Sequence, residues 1–166
     1  MREKSGHKKR RLAMKHKEAI ERRIESYLKE NDWTFEYDDT HGVFSLEADL
    51  ECKFEVALVV YQATEHGFLC YTTLLEDVKH ENIPMVAEYL HRANYGLPNG
   101  NFELDYDHGS IDFKTYFDCE KGVPTKKQLE DSVTIGLSAI EYYGNGLHEI
   151  MHGESIAKKL VAEVEQ

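Results

Sequence analysis

Apolar residues in this chain recur in blocks, first with a period of 3.6 and then with a period of 2, and that block order limits the fold more than any other feature. Ile20, Ile24, Tyr27 and Leu28 fall at i, i+4, i+7 and i+8, the spacing of one helical face, and predict a helix from about Lys15 to Asn31. The period then drops to two. Trp33, Phe35 and Tyr37 alternate with polar residues, and after a turn from Asp38 to Gly42 the residues Phe44, Leu46, Ala48 and Leu50 do the same, which predicts a hairpin. A second pair of strands, Phe54 to Tyr61 and Phe68 to Leu75, flanks the turn from Ala63 to Gly67. Its runs are more continuously apolar, as expected for central strands covered on both faces.

The helical period returns after Glu81, where Asn82 is placed to cap and Pro84 sits in a first turn that lacks intrahelical donors anyway. Ile83, Val86, Ala87, Leu90, Ala93, Asn94 and Leu97 form its stripe, and Gly96 and Pro98 stop it. A third hairpin follows, with Phe102, Leu104 and Tyr106 on one strand and Ile111, Phe113, Thr115 and Phe117 on the other. Thr125 with Gln128 has the form of a capping box opening a helix with Leu129, Val133, Leu137 and Ile140 on one face. Gly144 and Gly146 are expected to break that helix. A separate amphipathic stretch should then carry Ile150 and Met151, followed by a Ser155-capped turn with Ile156, Leu160 and Val164. The predicted order is α-ββββ-α-ββ-α-α. Grouped strands between helices, without βαβ alternation, make this an α+β fold: an antiparallel sheet of about six strands in three hairpins, with helices packed on it. Edge strands and abundant aromatics give an expectation of self-association through a sheet face or a helix.

At 166 residues the chain can bury one proper core, so one α+β domain is expected over residues 18–145, with a helical tail over 146–166 packed on it and a basic arm over 1–17. Charge is divided sharply. Residues 1–23 hold ten Lys or Arg against three Glu, a net +7; subtracting this from the total of −11 leaves −18 on the other 143 residues. A solvated, frayed helix start is the favoured account of such an arm; the alternatives are that it holds nucleic acid, an acidic partner or the acidic face of a second copy of the chain. An acidic body opposes nucleic acid. No apolar run reaches membrane-spanning length, and the basic start lacks the apolar segment of a secretory signal, so a cytoplasmic protein is expected. Cys52, Cys70 and Cys119 are odd in number and far apart, consistent with reduced thiols.

One motif would make the chain an enzyme. His148-Glu149-Ile150-Met151-His152 matches H-E-x-x-H, in which two imidazoles at i and i+4 hold zinc and the Glu polarises the attacking water. Nine histidines raise the probability of a chance match to roughly 6%, high for a diagnostic motif. A third protein ligand is needed as well, and downstream only Glu154, Glu163 and Glu165 offer one. Gly144, Gly146 and Gly153 leave barely two helical turns for the pair. The expectation is therefore no catalytic residue, no cofactor and no dedicated metal site, with a zinc hydrolase using His148, Glu149 and His152 as the alternative. His-Gly also recurs at 41–42, 66–67, 108–109 and 152–153. Three of these pairs lie at predicted hairpin tips, where Gly supplies a positive φ, so turn chemistry explains them unless the tips converge. No P-loop, dinucleotide fingerprint or G-x-S-x-G elbow is present.

The segment from Tyr89 to Asp105, YLHRANYGLPNGNFELD, followed by Gly109-Ser110-Ile111-Asp112-Phe113-Lys114-Thr115, resembles the signature of the YbjN family. There, a helix ending in Asn leads through a Gly turn into an N-F-E-L-D-like strand and a hairpin. The resemblance covers about residues 18–145 and is strongest from 83 to 118. It implies a fold similar to type III secretion chaperones, a bacterial cytoplasmic setting, homodimers and a sensory-transduction regulator, and it supplies no catalytic residue. From the residues themselves, Asn94 is suited to bond turn carbonyls, Gly96, Gly100 and Gly109 suit positive φ, and Phe102 and Phe113 are suited to the core. The function expected is a regulator or chaperone-like adaptor that binds another protein.

Overall fold

The structure, a computed structural model, describes residues 2–153 and Val161. Helix α1 spans Arg2–Glu30, followed by strands β1 (Glu36–Asp38), β2 (Val43–Asp49), β3 (Val56–Ala63) and β4 (Gly67–Leu74). A 3-10 turn at His80–Asn82 leads into α2 (Ile83–Gly96), then β5 (Asn101–Leu104), β6 (Ile111–Asp118) and α3 (Lys126–Met151). All strand pairs are antiparallel, in the order β1-β2-β3-β4-β6-β5. The fold is α+β, an open six-stranded sheet with three helices.

Strand alternation decides which side chains meet the helices. Phe44, Leu46, Tyr61, Phe68 and Cys70 point to the face covered by α1, where they bury Ile20, Ile24, Tyr27 and Leu28. Phe102, Ile111 and Phe113 pack instead with Val86, Tyr89 and Leu90 of α2 and with Ile140, Tyr143 and Leu147 of α3. Each such aliphatic residue contributes about 1.5–3 kcal/mol. Two buried hydroxyls fix the helices to their neighbours: Tyr61 donates to the Leu129 carbonyl at 3.0 Å and Tyr89 to the Tyr143 carbonyl at 2.8 Å. The capping box at Thr125 forms in both directions.

Four expectations need correction. Helix α1 begins at Arg2 rather than near Lys15. Gly144 and Gly146 do not interrupt α3, which runs unbroken to Met151. Both are buried, and a Cβ on Gly144 would stand 2.9 Å from the Cys52 sulfur, so close approach of the loop requires a glycine there. The separate stretch at Ile150 and Met151 is thus the end of α3, and Ser155, Ile156, Leu160 and Val164 lie outside the described residues. Asn82 does not cap α2 with its side chain. Its Nδ2 donates 2.7 Å to the Met151 carbonyl, tying the α2 entry to the end of α3.

The last correction concerns β3 and β4. They are central, but burial alternates along β3 and, from Phe68 on, along β4, and only one face is covered. On the other face Leu58, Val60, Leu69 and Tyr71 are half-buried by their neighbours alone.

Candidate functional site

Helix α3 carries two rows of functional side chains at helical spacing. Glu141, Asn145 and Glu149, four apart, form the first. Glu141 accepts from the Glu51 N–H at 3.0 Å, Asn145 from the Lys53 N–H at 3.1 Å, and Glu149 lies 3.7 Å from the Lys53 ammonium. This row holds the loop between β2 and β3. The glutamate of the H-E-x-x-H motif thus faces Lys53, on the row that holds this loop.

The second row is His148 and His152, one turn apart, with rings 4.3 Å apart and stacked. A ring nitrogen of each and a carboxylate oxygen of Glu76 all lie within 4.8 Å of one another. Glu76 arrives from the segment after β4. That segment is anchored where the Val78 N–H donates to the Gly109 carbonyl at 2.9 Å and where Asn82 holds Met151. The motif's two histidines therefore do come together, His148 in the last turn of α3 and His152 at its C-cap, and their third neighbour lies upstream. Glu154, Glu163 and Glu165, the downstream candidates, fall outside the described residues. Glu76 carries no local sequence signal, because its partner His148 is distant along the chain and only the fold joins them.

The residues of the YbjN-like segment form a structural joint. Asn94 presents a complete amide to the backbone of Phe102, accepting its N–H at 2.7 Å and donating to its carbonyl at 3.1 Å. One side chain thus substitutes for a neighbouring strand at the edge of β5. Gly100 and Gly109 have φ of 78° and 83°, the left-handed region that glycine tolerates. Phe102 and Phe113 meet edge to face at 5.0 Å in the core. Gly96 differs from expectation: it ends α2 without a positive φ, because Leu97, held extended before Pro98, already terminates the helix.

The repeated His-Gly pairs resolve into turn chemistry at two tips. Asp38 accepts from the N–H groups of Thr40 and His41 and meets the His41 ring; Asp105 does the same with Asp107 and His108. Hydrogen bonding from the histidine holds each carboxyl below its usual range. Gly67 lacks the positive φ expected of it and belongs to β4. Register separates the tips, since Val43 faces Gln62 at one end of the sheet while Asp112 faces Thr73 towards the other. His108 therefore lies opposite His41 and His66.

The uncovered sheet face has its own order. Ser45, Val60, Tyr71, Lys114 and Asn101 form one cross-strand row, and Glu47, Leu58, Thr73, Asp112 and Glu103 form the next. Its centre on β3 and β4 is apolar. Glu36, Asp38, Glu47 and Asp49 stand on one flank, and Glu103, Asp112 and Asp118 on the other. Lys114 on that second flank is paired with Glu103. A cleft of about 450 Å³ opens beside the first flank, lined by Trp33, Phe35, Glu36, Glu47 and Leu58. Burial raises the Asp112 carboxyl above its usual range. Helices packed on one side of an antiparallel sheet imply an open face, but the apolar runs of β3 and β4 read as covered on both faces, which hid that this face has its apolar centre there. No helix of the described residues is long and apolar enough to cross a membrane.

Comparison with curated proteins gives no match. The crystal structure of YbjN, a putative transcription regulator from E. coli, superimposes with a TM-score of 0.52 at 13% identity, covering 71% of this chain and 83% of that one. At that identity the likeness speaks for the fold. The profile of the YbjN family, described as a putative bacterial sensory transduction regulator, matches residues 22–149, and with the Asn94 joint and the antiparallel sheet in view the chain belongs to the YbjN family.

Proposed function

We propose that this protein is a regulator that acts through protein contacts, and that the open sheet face is its docking surface, with a second copy of the chain as occupant. The observation that carries this is the make-up of that face, an apolar centre of Leu58, Val60, Leu69 and Tyr71 between two acidic flanks. Sheet faces left apolar in a folded chain mark contact sites. The edges offer less: β1 has three residues and β5 four, both bearing carboxylates, which disfavours strand addition.

The matching surface is in the same sequence. Leu12 and Met14 on α1 are exposed at 58% and 56%, between Arg10 and Arg11 on one side and Lys15 and Lys17 on the other. His16 is the first side chain along α1 with a described bond to the body, so residues 2–15 add about 20 Å of helix beyond it. A continuous helix on the covered side of the sheet does not return to its own open face. It can reach that of another copy, with Leu12 to the centre and cations to the flanks. A chaperone-like adaptor would hold a client segment on the same surface. Three free thiols suit a cytoplasmic setting.

The test is the mass of the full chain in solution by light scattering. A dimer is expected at about 0.1 M salt, weakened at about 1 M, where the Debye length falls from roughly 10 Å to 3 Å. Deleting residues 1–14 or substituting Val60→Glu should give folded monomers. A monomer at every concentration, or a dimer indifferent to both changes, would reject the proposal.

A further inference from the structure

We infer that Glu76, His148 and His152 form a binding site for a divalent cation of the zinc class, which clips the end of α3 to the segment following β4. The proposal concerns a different part of the molecule from the open sheet face and does not depend on it.

The hydrogen bonding of His152 leads to it. Its Nδ1 lies 2.8 Å from the His148 carbonyl oxygen. A carbonyl only accepts, so Nδ1 must carry the proton and donate it. In the neutral ring Nε2 then presents a lone pair, and that nitrogen stands 3.2 Å from a carboxylate oxygen of Glu76. Two acceptors facing each other at this distance repel unless a proton or a metal cation lies between them, and a metal cation would draw on His148 as well. A backbone carbonyl holding the far nitrogen of an imidazole is also the arrangement that orients metal-bound histidines and raises their basicity.

His148 supplies an independent observation. Its Nδ1 is buried and has no hydrogen-bond partner, while the edge of Phe54 packs against the ring at 5.6 Å between centroids. A buried ring nitrogen without a partner is costly, and a ring nitrogen of His148 lies within 4.8 Å of the ligand atoms of His152 and Glu76. Distances agree with the ion class. Bonds of about 2.0–2.1 Å in a tetrahedron separate ligand atoms by roughly 3.3 Å, close to the 3.2 Å between His152 and Glu76. Two imidazoles and one carboxylate select zinc and similar borderline ions over calcium or magnesium.

Glu149 faces Lys53 rather than the cluster, and the effect we assign to the ion is structural. It joins the α3 terminus to the segment that enters α2. Ion occupancy would therefore set how firmly these two elements are held together, which is a means of sensing an ion.

The experiment titrates the full metal-free chain with Zn²⁺ alone, in competition with a chromophoric chelator. One ion per chain is expected, with affinity lowered at least about tenfold in Glu76→Gln, His148→Ala and His152→Ala and unchanged in Glu149→Gln. Glu76 is 47% exposed, so Glu76→Gln keeps the fold and keeps the test decisive if a histidine variant fails to fold. Zinc should also raise the thermal midpoint of the wild-type chain and not that of Glu76→Gln. Absence of stoichiometric binding would overturn the proposal, as an ion pair between His152 and Glu76 then accounts for the geometry. Binding that survives Glu76→Gln unaltered would overturn it too, by placing the ion on other histidines.

Discussion

Substituting Gly136→Ala should destabilise the protein, although alanine is the better helix former. Gly136 lies mid-way along α3 over strand β4, and a Cβ there would stand 2.1 Å from Thr72 Oγ1 and 3.1 Å from Thr72 Cβ. Ordinary contact begins near 3.4 Å, so the added methyl must gain more than 1 Å. Rotating Thr72 about χ1 moves the hydroxyl away but leaves the two Cβ atoms too close. Helix propensity favours alanine by about 1 kcal/mol; overpacking of a closed core costs about 1–3 kcal/mol, and this overlap belongs at the upper end. The net loss is about 2 kcal/mol. In urea, with a slope of about 2 kcal/mol/M, the midpoint should fall by about 1 M, and the thermal midpoint by about 4–8 °C. Because Thr72 Oγ1 has no hydrogen-bond partner, Thr72→Ala gives up no bond, and Thr72→Ala with Gly136→Ala should recover much of the loss. A Gly136→Ala variant as stable as wild type, or strictly additive effects in the double variant, would refute the reasoning.

Asn94→Ala should cost about 2 kcal/mol, because it removes two bonds to Phe102 and leaves that strand's N–H without a partner; urea denaturation reads this directly. Thr125→Ala should cost about 1 kcal/mol by opening the capping box, with the loss matched by Gln128→Ala in an overlapping, non-additive way. His16 donates from both ring nitrogens to the carbonyls of Glu65 and Gly122 at 2.9 Å, which requires the imidazolium and raises its pKa above 6.5. A raised folded pKa gives stability that is fully present below 6.5 and lost as pH rises through the folded value. The urea midpoints of wild type and His16→Ala should accordingly differ more at acidic than at alkaline pH, and a gap that widens with pH would contradict this.

Local pattern carried the parts of this fold that depend on neighbours in sequence. The stripe Ile20, Ile24, Tyr27 and Leu28 is buried, as are Phe44, Leu46 and Ala48 at alternate positions of β2, because the periods of helix and strand are backbone properties. What escaped was set by approach between distant segments. Gly144 reads as a breaker in sequence, and only the sulfur of Cys52 against it shows why a glycine continues the helix. Asn82 has the form of a cap, yet its bond reaches Met151, 69 residues away. The H-E-x-x-H pair was visible, but Glu76 was not, since no short-range spacing records a ligand brought by a loop. An apolar run likewise records burial without saying whether this chain or another provides the cover, and that ambiguity made β3 and β4 read as covered on both faces.

The central claim is that this face receives the basic end of α1 from a second copy. A photoreactive amino acid in place of Tyr71, at the centre of the face, tests it directly in the full-length protein: irradiation followed by peptide mass spectrometry should yield intermolecular cross-links to residues 10–17, lost at high salt. Cross-links confined to the same chain, or joining position 71 to position 71 of the second copy, would contradict it.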